Sequence, residues 1–199
     1  MMTKKEATRL MKLKGRVRGA VFETDVEYVK AEYGNEALDR ITAAIHDLGY
    51  DLDYGNLDSM EWRPLGLRAL SLRLMEEIFS WTEDDIRAMG DAAPKYSFIV
   101  KLFMQFFISP KVAFSHAPEY WTRHYDVGRL ESVSLDVEKR SAVIHLADFN
   151  VHGTYCRYLE GFFGRLFKFM FPHSEVKINE TRCMCKGDSV HEFLVNWEP

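Results

Sequence analysis

Val133-Ser134-Leu135-Asp136-Val137-Glu138-Lys139-Arg140-Ser141-Ala142-Val143-Ile144-His145-Leu146 is the stretch whose reading decides the fold. Val133, Leu135 and Val137 alternate with polar residues, and Ala142, Ile144 and Leu146 repeat the alternation beyond the polar break Glu138-Lys139-Arg140. A period of two gives each strand one core-facing side, so the stretch predicts a β-hairpin. The period then lengthens. Between Tyr155 and Phe171, Leu159, Phe162, Phe163, Leu166, Phe167 and Met170 recur by threes and fours, which predicts a helix ended by Pro172. A second hairpin is expected after it, with strands Glu175–Cys183 and Val190–Trp197 joined around Lys186-Gly187-Asp188-Ser189.

Upstream of the first hairpin the pattern is helical throughout. Val26, Val29, Tyr33, Ala37, Ile41 and Ile45 predict helix from Val26 to Leu48 with a break near Gly34. Trp62-Arg63-Pro64-Leu65 reads as a turn or helix start, and Leu67, Leu70, Leu74 and Ile78 continue as an amphipathic helix. Thr82-Glu83-Asp84-Asp85 resembles a capping box, so another helix starts there and is expected to stop near Gly90. Pro94 precedes an apolar helix over Tyr96–Phe107, and Pro118-Glu119-Tyr120-Trp121 opens a short helix ending around Gly128. Helices first, then hairpin, helix, hairpin, make an α+β fold: N-terminal helices packed on an antiparallel sheet of about four strands.

The chain has 199 residues, 47% of them hydrophobic and 28% charged, with only 12 Gly and 6 Pro, which excludes disordered and low-complexity classes. One domain over 14–199 accounts for it, preceded by a basic extension over 1–13. A formal charge of −4 argues against a dedicated nucleic-acid binder, which needs a basic excess to neutralise phosphates. Three cysteines are too few for a disulfide framework and point to a reducing, cytoplasmic setting. The most apolar run, Phe98–Ile108, is broken by Lys101 and Gln105 and falls far short of the ~20 residues of a membrane span. No phosphate loop, nucleophile elbow or His-Glu-x-x-His motif is present, so a non-catalytic protein is expected. Aromatics make up 14% of the chain, including 14 Phe. That supply predicts an apolar cavity walled by Phe103, Phe107, Trp121, Tyr125, Tyr158 and Phe162, where the tyrosine and tryptophan polar tips would seek a partner.

Three stretches carry a resemblance to known families. Lys14-Gly15, Val21-Phe22, Tyr28-Val29-Lys30 and Gly34-Asn35-Glu36-Ala37-Leu38-Asp39-Arg40-Ile41 resemble the first helices of H-NOX (haem nitric-oxide/oxygen binding) domains. Cys183-Met184-Cys185-Lys186-Gly187-Asp188 with His191, Phe193 and Trp197 is similar to the last hairpin of 4-vinyl-reductase-type domains. Trp121 with Tyr125-Asp126-Val127-Gly128 resembles a step of the myxobacterial paralogous domain group. These groups share a fold with transport-particle subunits. The resemblance implies a ligand-binding or sensory module in bacterial signalling, often a homodimer, that holds a small apolar or amphipathic molecule between helices and sheet.

The resemblance also implies two cofactors. Phenol-sensing regulators with a 4-vinyl-reductase-type domain hold zinc through a helix Cys, a Glu-x-x-Cys and a further Cys; the matching positions here are Cys156, Glu180, Cys183 and His191. Zinc accepts thiolate, carboxylate and imidazole in a closed tetrahedron, so such a site would be structural. In a regular strand Glu180 and Cys183 would face opposite ways, and only a bulge or the strand end could bring both to one ion. Cys185 is left as a spare thiol. Haem is the second cofactor. His116 and His124 flank Trp121 and could serve as axial ligands, but the Tyr-x-Ser-x-Arg propionate clamp of H-NOX domains is absent. The alternatives to a small-molecule receptor are therefore a ligand-free scaffold and a haem gas sensor.

Overall fold

The two predicted hairpins form and then interleave. Strands β3 (Arg129–Asp136), β4 (Ser141–Ala147), β5 (Glu175–Arg182) and β6 (His191–Glu198) make one antiparallel sheet in the order β3-β4-β6-β5. The β4–β6 pairing joins the hairpins, with Ile144 opposite Phe193 and Ala142 opposite Val195. Alternation puts Ala142, Ile144 and Leu146 inside, together with Phe193, Val195 and Trp197. Strand β3 departs from the prediction. A bulge between Ser132 and Ser134 shifts its register, and Val133 and Val137, read as core residues, are 49% and 54% exposed.

The structure is a computed structural model, and it describes residues 2–97 and 109–198. The predicted apolar helix, with Phe103 and Phe107, falls largely in 98–108 and lies outside the described residues. A second, two-stranded sheet pairs β1 (Arg16–Arg18) with β2 (Trp62–Pro64). Three-residue strands are too short to display a period, which is why Trp62-Arg63-Pro64 reads as a turn in the sequence.

Helix α1 (Lys4–Met11) occupies most of the segment that the sequence presents as a basic extension. Thr3 and Glu6 form its capping box, and Ala7 and Leu10 are buried where it packs on α4 (Leu65–Phe79). Helix α2 (Gly19–Tyr33) begins earlier than predicted, and Gly34 at φ +79 separates it from α3 (Asn35–Asp47) as expected. Helix α5 (Glu83–Tyr96) starts at the Thr82/Asp85 capping box but runs through Gly90 and takes Pro94 into its last turn. Helix α6 (Pro110–His124) starts at a Ser109 cap with Pro110 in its first turn, so Pro118, read as a start, is interior.

Helix α7 (Gly153–Met170) lies on the inner face of the large sheet and buries Phe163 and Phe167 there. Phe163 meets Phe193 edge to face at 5.1 Å, and Phe171, just past the helix, stacks on Trp197 at 4.2 Å. The opposite side of α7 crosses α5 at very short range. A Cβ on Gly90 would sit 2.0 Å from the Tyr158 carbonyl oxygen, and one on Gly161 would sit 1.9 Å from that of Arg87. Gly90 is therefore a contact point between helices and not a helix stop. The crossing fixes the first turns of α7, which carry Cys156 and Tyr158.

Candidate functional site

The sequence-predicted metal donors come together at the end of the large sheet. The bulge that Glu180 and Cys183 require is present: the pairing of β5 with β6 shifts between Glu180 and Arg182. Immediately afterwards the chain leaves the strand through a single 3-10 turn, Met184–Lys186. Glu180 and Cys183 thereby face His191 at the start of β6 and Cys156 near the start of α7. The four donor atoms all lie within 4.8 Å of one another. Cys156 Sγ is 3.7 Å from Cys183 Sγ and 3.8 Å from His191 Nδ1. Two thiolates on one tetrahedral zinc stand about 3.8 Å apart, so the spacing suits the ion. Cys185, the spare thiol of the sequence reading, is also near, with its Sγ 3.9 Å from Cys156 Sγ.

The surroundings orient these groups. His191 Nε2 donates to the Phe149 carbonyl at 3.0 Å, which turns Nδ1 toward the cluster. Glu180 Oε1 is 2.8 Å from that Nδ1, and Oε2 accepts from Arg157 at 2.7 Å. Buried Glu160 accepts from the Glu180 amide at 2.8 Å and from Arg87 and Arg157 at 2.7 Å each. Without metal, burial works against charge on both His191 and Glu180, but their mutual contact outweighs it, raising the imidazole and lowering the carboxyl from their ordinary values. Donation to Cys185 and burial push the Cys156 thiol far up, and the same hydrogen bond brings Cys185 down to about 6. Burial also raises Cys183. A metal entering such a cluster displaces protons from thiols and imidazole. Thiolate, imidazole and carboxylate donors gathered in this way could hold a metal ion between α7 and the last hairpin.

The predicted aromatic wall is partly assembled elsewhere. Trp121, Tyr125, Tyr158 and Phe162 line a cavity of about 40 Å³ together with Ala93 and His124. Trp121 stacks on Tyr125 at 4.1 Å. The polar tips find partners inside the protein: Trp121 Nε1 donates to the Val127 carbonyl at 3.0 Å, and the Tyr125 and Tyr155 hydroxyls meet at 3.0 Å. The wall is accordingly apolar. A space this size admits a few heavy atoms; benzene occupies cavities of about 150 Å³.

The two histidines offered as axial ligands differ in setting. His116 is half-exposed, with Nδ1 3.1 Å from Glu119. His124 lines the cavity of about 40 Å³, and burial lowers its pKa.

Sequence reading missed Asp25 and Arg68. Both side chains are fully buried, and the guanidinium meets the Asp25 carboxyl group at 2.7 and 2.9 Å. Arg68 lies 4.9 Å from the Tyr158 ring centre, directly behind the cavity wall. A signal existed: Leu65–Leu72 is apolar on every side but for Arg68 and Ser71, and all of it is buried, so the amphipathic reading holds only for the second half of α4.

Sheet order, helix order and the placement of α7 can be compared with solved structures. The fold is that of H-NOX domains. An H-NOX protein from S. oneidensis in the Fe(II)NO ligation state superposes at a TM-score of 0.67 with 10% identity, covering 92% of this chain and 99% of that one. An oxygen-binding H-NOX domain related to soluble guanylate cyclases gives 0.65 at 13% identity, covering 92% and 95%. Unliganded Fe(II) H-NOX from K. algicida gives 0.63 at 12%, covering 92% and 97%. No family model and no curated protein matches this chain. At such identities the H-NOX likeness concerns fold, and the resemblance to 4-vinyl-reductase-type domains and transport-particle subunits rests on sequence motifs alone. Among the described residues no helix is long and apolar enough to cross a membrane.

Proposed function

We propose that this H-NOX-fold chain is a non-catalytic sensory domain that binds a small apolar or amphipathic molecule beside Trp121, with a structural zinc at Cys156, Glu180, Cys183 and His191. The observation that carries the reading is the apolar cavity where α2, α5, α6 and α7 meet. Its walls include α7, which also bears the first metal ligand, so a guest that widens the cavity would move the helix tied to the final hairpin. Three unpaired cysteines accord with a reducing compartment, and the cytoplasm is the setting this reading assumes.

The test is a titration of the full chain with apolar molecules of only a few heavy atoms, such as chloroform and 1-propanol, which match the size of the cavity, read by tryptophan fluorescence. The expected result is saturable quenching that Ala93→Leu weakens at least tenfold, because the added methylenes fill the cavity that Ala93 lines. Linear, unsaturable quenching identical in both proteins would remove the receptor reading.

A further inference from the structure

The proposed zinc centre has more donors than a tetrahedron has corners. Cys156, Glu180, Cys183 and His191 form the compact set. Cys185, outside it, still places its Sγ 3.9 Å from Cys156 Sγ. The contacts of Cys156 with Cys183 at 3.7 Å and with Cys185 at 3.9 Å both match the edge of about 3.8 Å between thiolates that share a zinc. Glu180 matches less well. Its Oε1 sits 2.8 Å from His191 Nδ1, a hydrogen-bond distance, whereas a carboxylate oxygen and an imidazole nitrogen on one zinc stand about 3.3 Å apart. Its other oxygen is held by Arg157 at 2.7 Å.

We infer that Cys185 is a ligand of this centre and takes the coordination position in place of Glu180, so that the ion is bound by three thiolates and one imidazole. The inference rests on the zinc centre proposed under the preceding heading. Zinc prefers the softer thiolate to a carboxylate. Cys185 has freedom to reach it, being exposed on the single 3-10 turn Met184–Lys186, which ends in Gly187 at φ +103. It also lines a cleft of about 590 Å³ with Arg9, His152 and Arg157, which gives an ion a path to the cluster. Glu180 then stays on Arg157 as an outer carboxylate facing the ligand shell.

The experiment loads the metal-stripped full chain with Co(II) and reads its thiolate-to-metal charge-transfer absorption, which grows with the number of Co–S bonds. Cys185→Ser is expected to lower that absorption by about a third, three thiolates becoming two, while Glu180→Gln leaves it unchanged. X-ray absorption of the zinc-loaded wild type, which needs no variant, should count three sulfurs and one nitrogen. A Cys185→Ser spectrum identical to wild type, or a count of two sulfurs, would overturn the inference and leave the metal reading standing. A wild type that takes up neither Co(II) nor zinc would overturn both.

Discussion

Asp25 and Arg68 meet where neither touches water, and around them stand the rings of Phe22, Tyr155 and Tyr158. Burial pushes the Asp25 carboxyl up to about 7, although the Arg68 charge opposes the shift. The unfolded chain releases this proton near pH ~3.9. Between that value and 7 the folded protein keeps the proton and the unfolded chain has lost it, so stability falls as pH rises through this window and levels above it. Urea denaturation from pH 4 to 8 should show wild type losing stability relative to Asp25→Asn, by on the order of a few kcal/mol. A constant difference across the window would mean that Asp25 is ionised throughout. At this scale Cys156, Glu180, Cys183 and His191 were named together through the resemblance, because only Glu180 and Cys183 stand close enough in the chain for spacing to join them. Asp25 and Arg68, 43 positions apart, carried no shared spacing, and Cys185 was left spare because the resemblance filled the four positions without it.

Elements were legible where their signals are local and misread where a neighbour decides. The Thr82 capping box located the start of α5, since both bonds of that motif lie within four residues. Gly90 was misread because a glycine inside a helical pattern looks like a terminus, and only the crossing with α7 shows that it admits another backbone. Val133 was misread because a bulge leaves no mark on alternation until the partner strand is known. The helix crossing makes a sharp prediction. In Gly161→Ala the new methyl meets the Arg87 carbonyl, which is backbone and cannot swing aside, so α5 and α7 must separate. Denaturant melts should show a loss of about 2–3 kcal/mol or more, against a near-neutral Gly153→Ala, where nothing stands within 4 Å. Equal stabilities for the two variants would mean that the helices do not cross this closely.

For the whole molecule, the α+β class followed from the change of period after Gly128, and the four-stranded sheet followed from two hairpins. The sheet order did not. Pairing of β4 with β6 spans the whole of α7 and is set by which apolar faces meet, Ile144 against Phe193 and Ala142 against Val195. The same long-range packing brings Trp121 and Tyr125 against Tyr158 and leaves the cavity between them, which no local pattern could have sized. Under the proposed function, the H-NOX fold serves two tasks on opposite sides of α7's first turns, a guest beside Tyr158 and an ion at Cys156.

Native mass spectrometry of the full chain, purified without chelator, tests this pairing of guest and ion most directly. The expected result is a folded species carrying one zinc and a small organic mass that gentle activation releases, with the organic mass, and not the zinc, lost in Ala93→Leu. A folded wild type that carries no added organic mass, and gains none from an extract of its host cells, would contradict it.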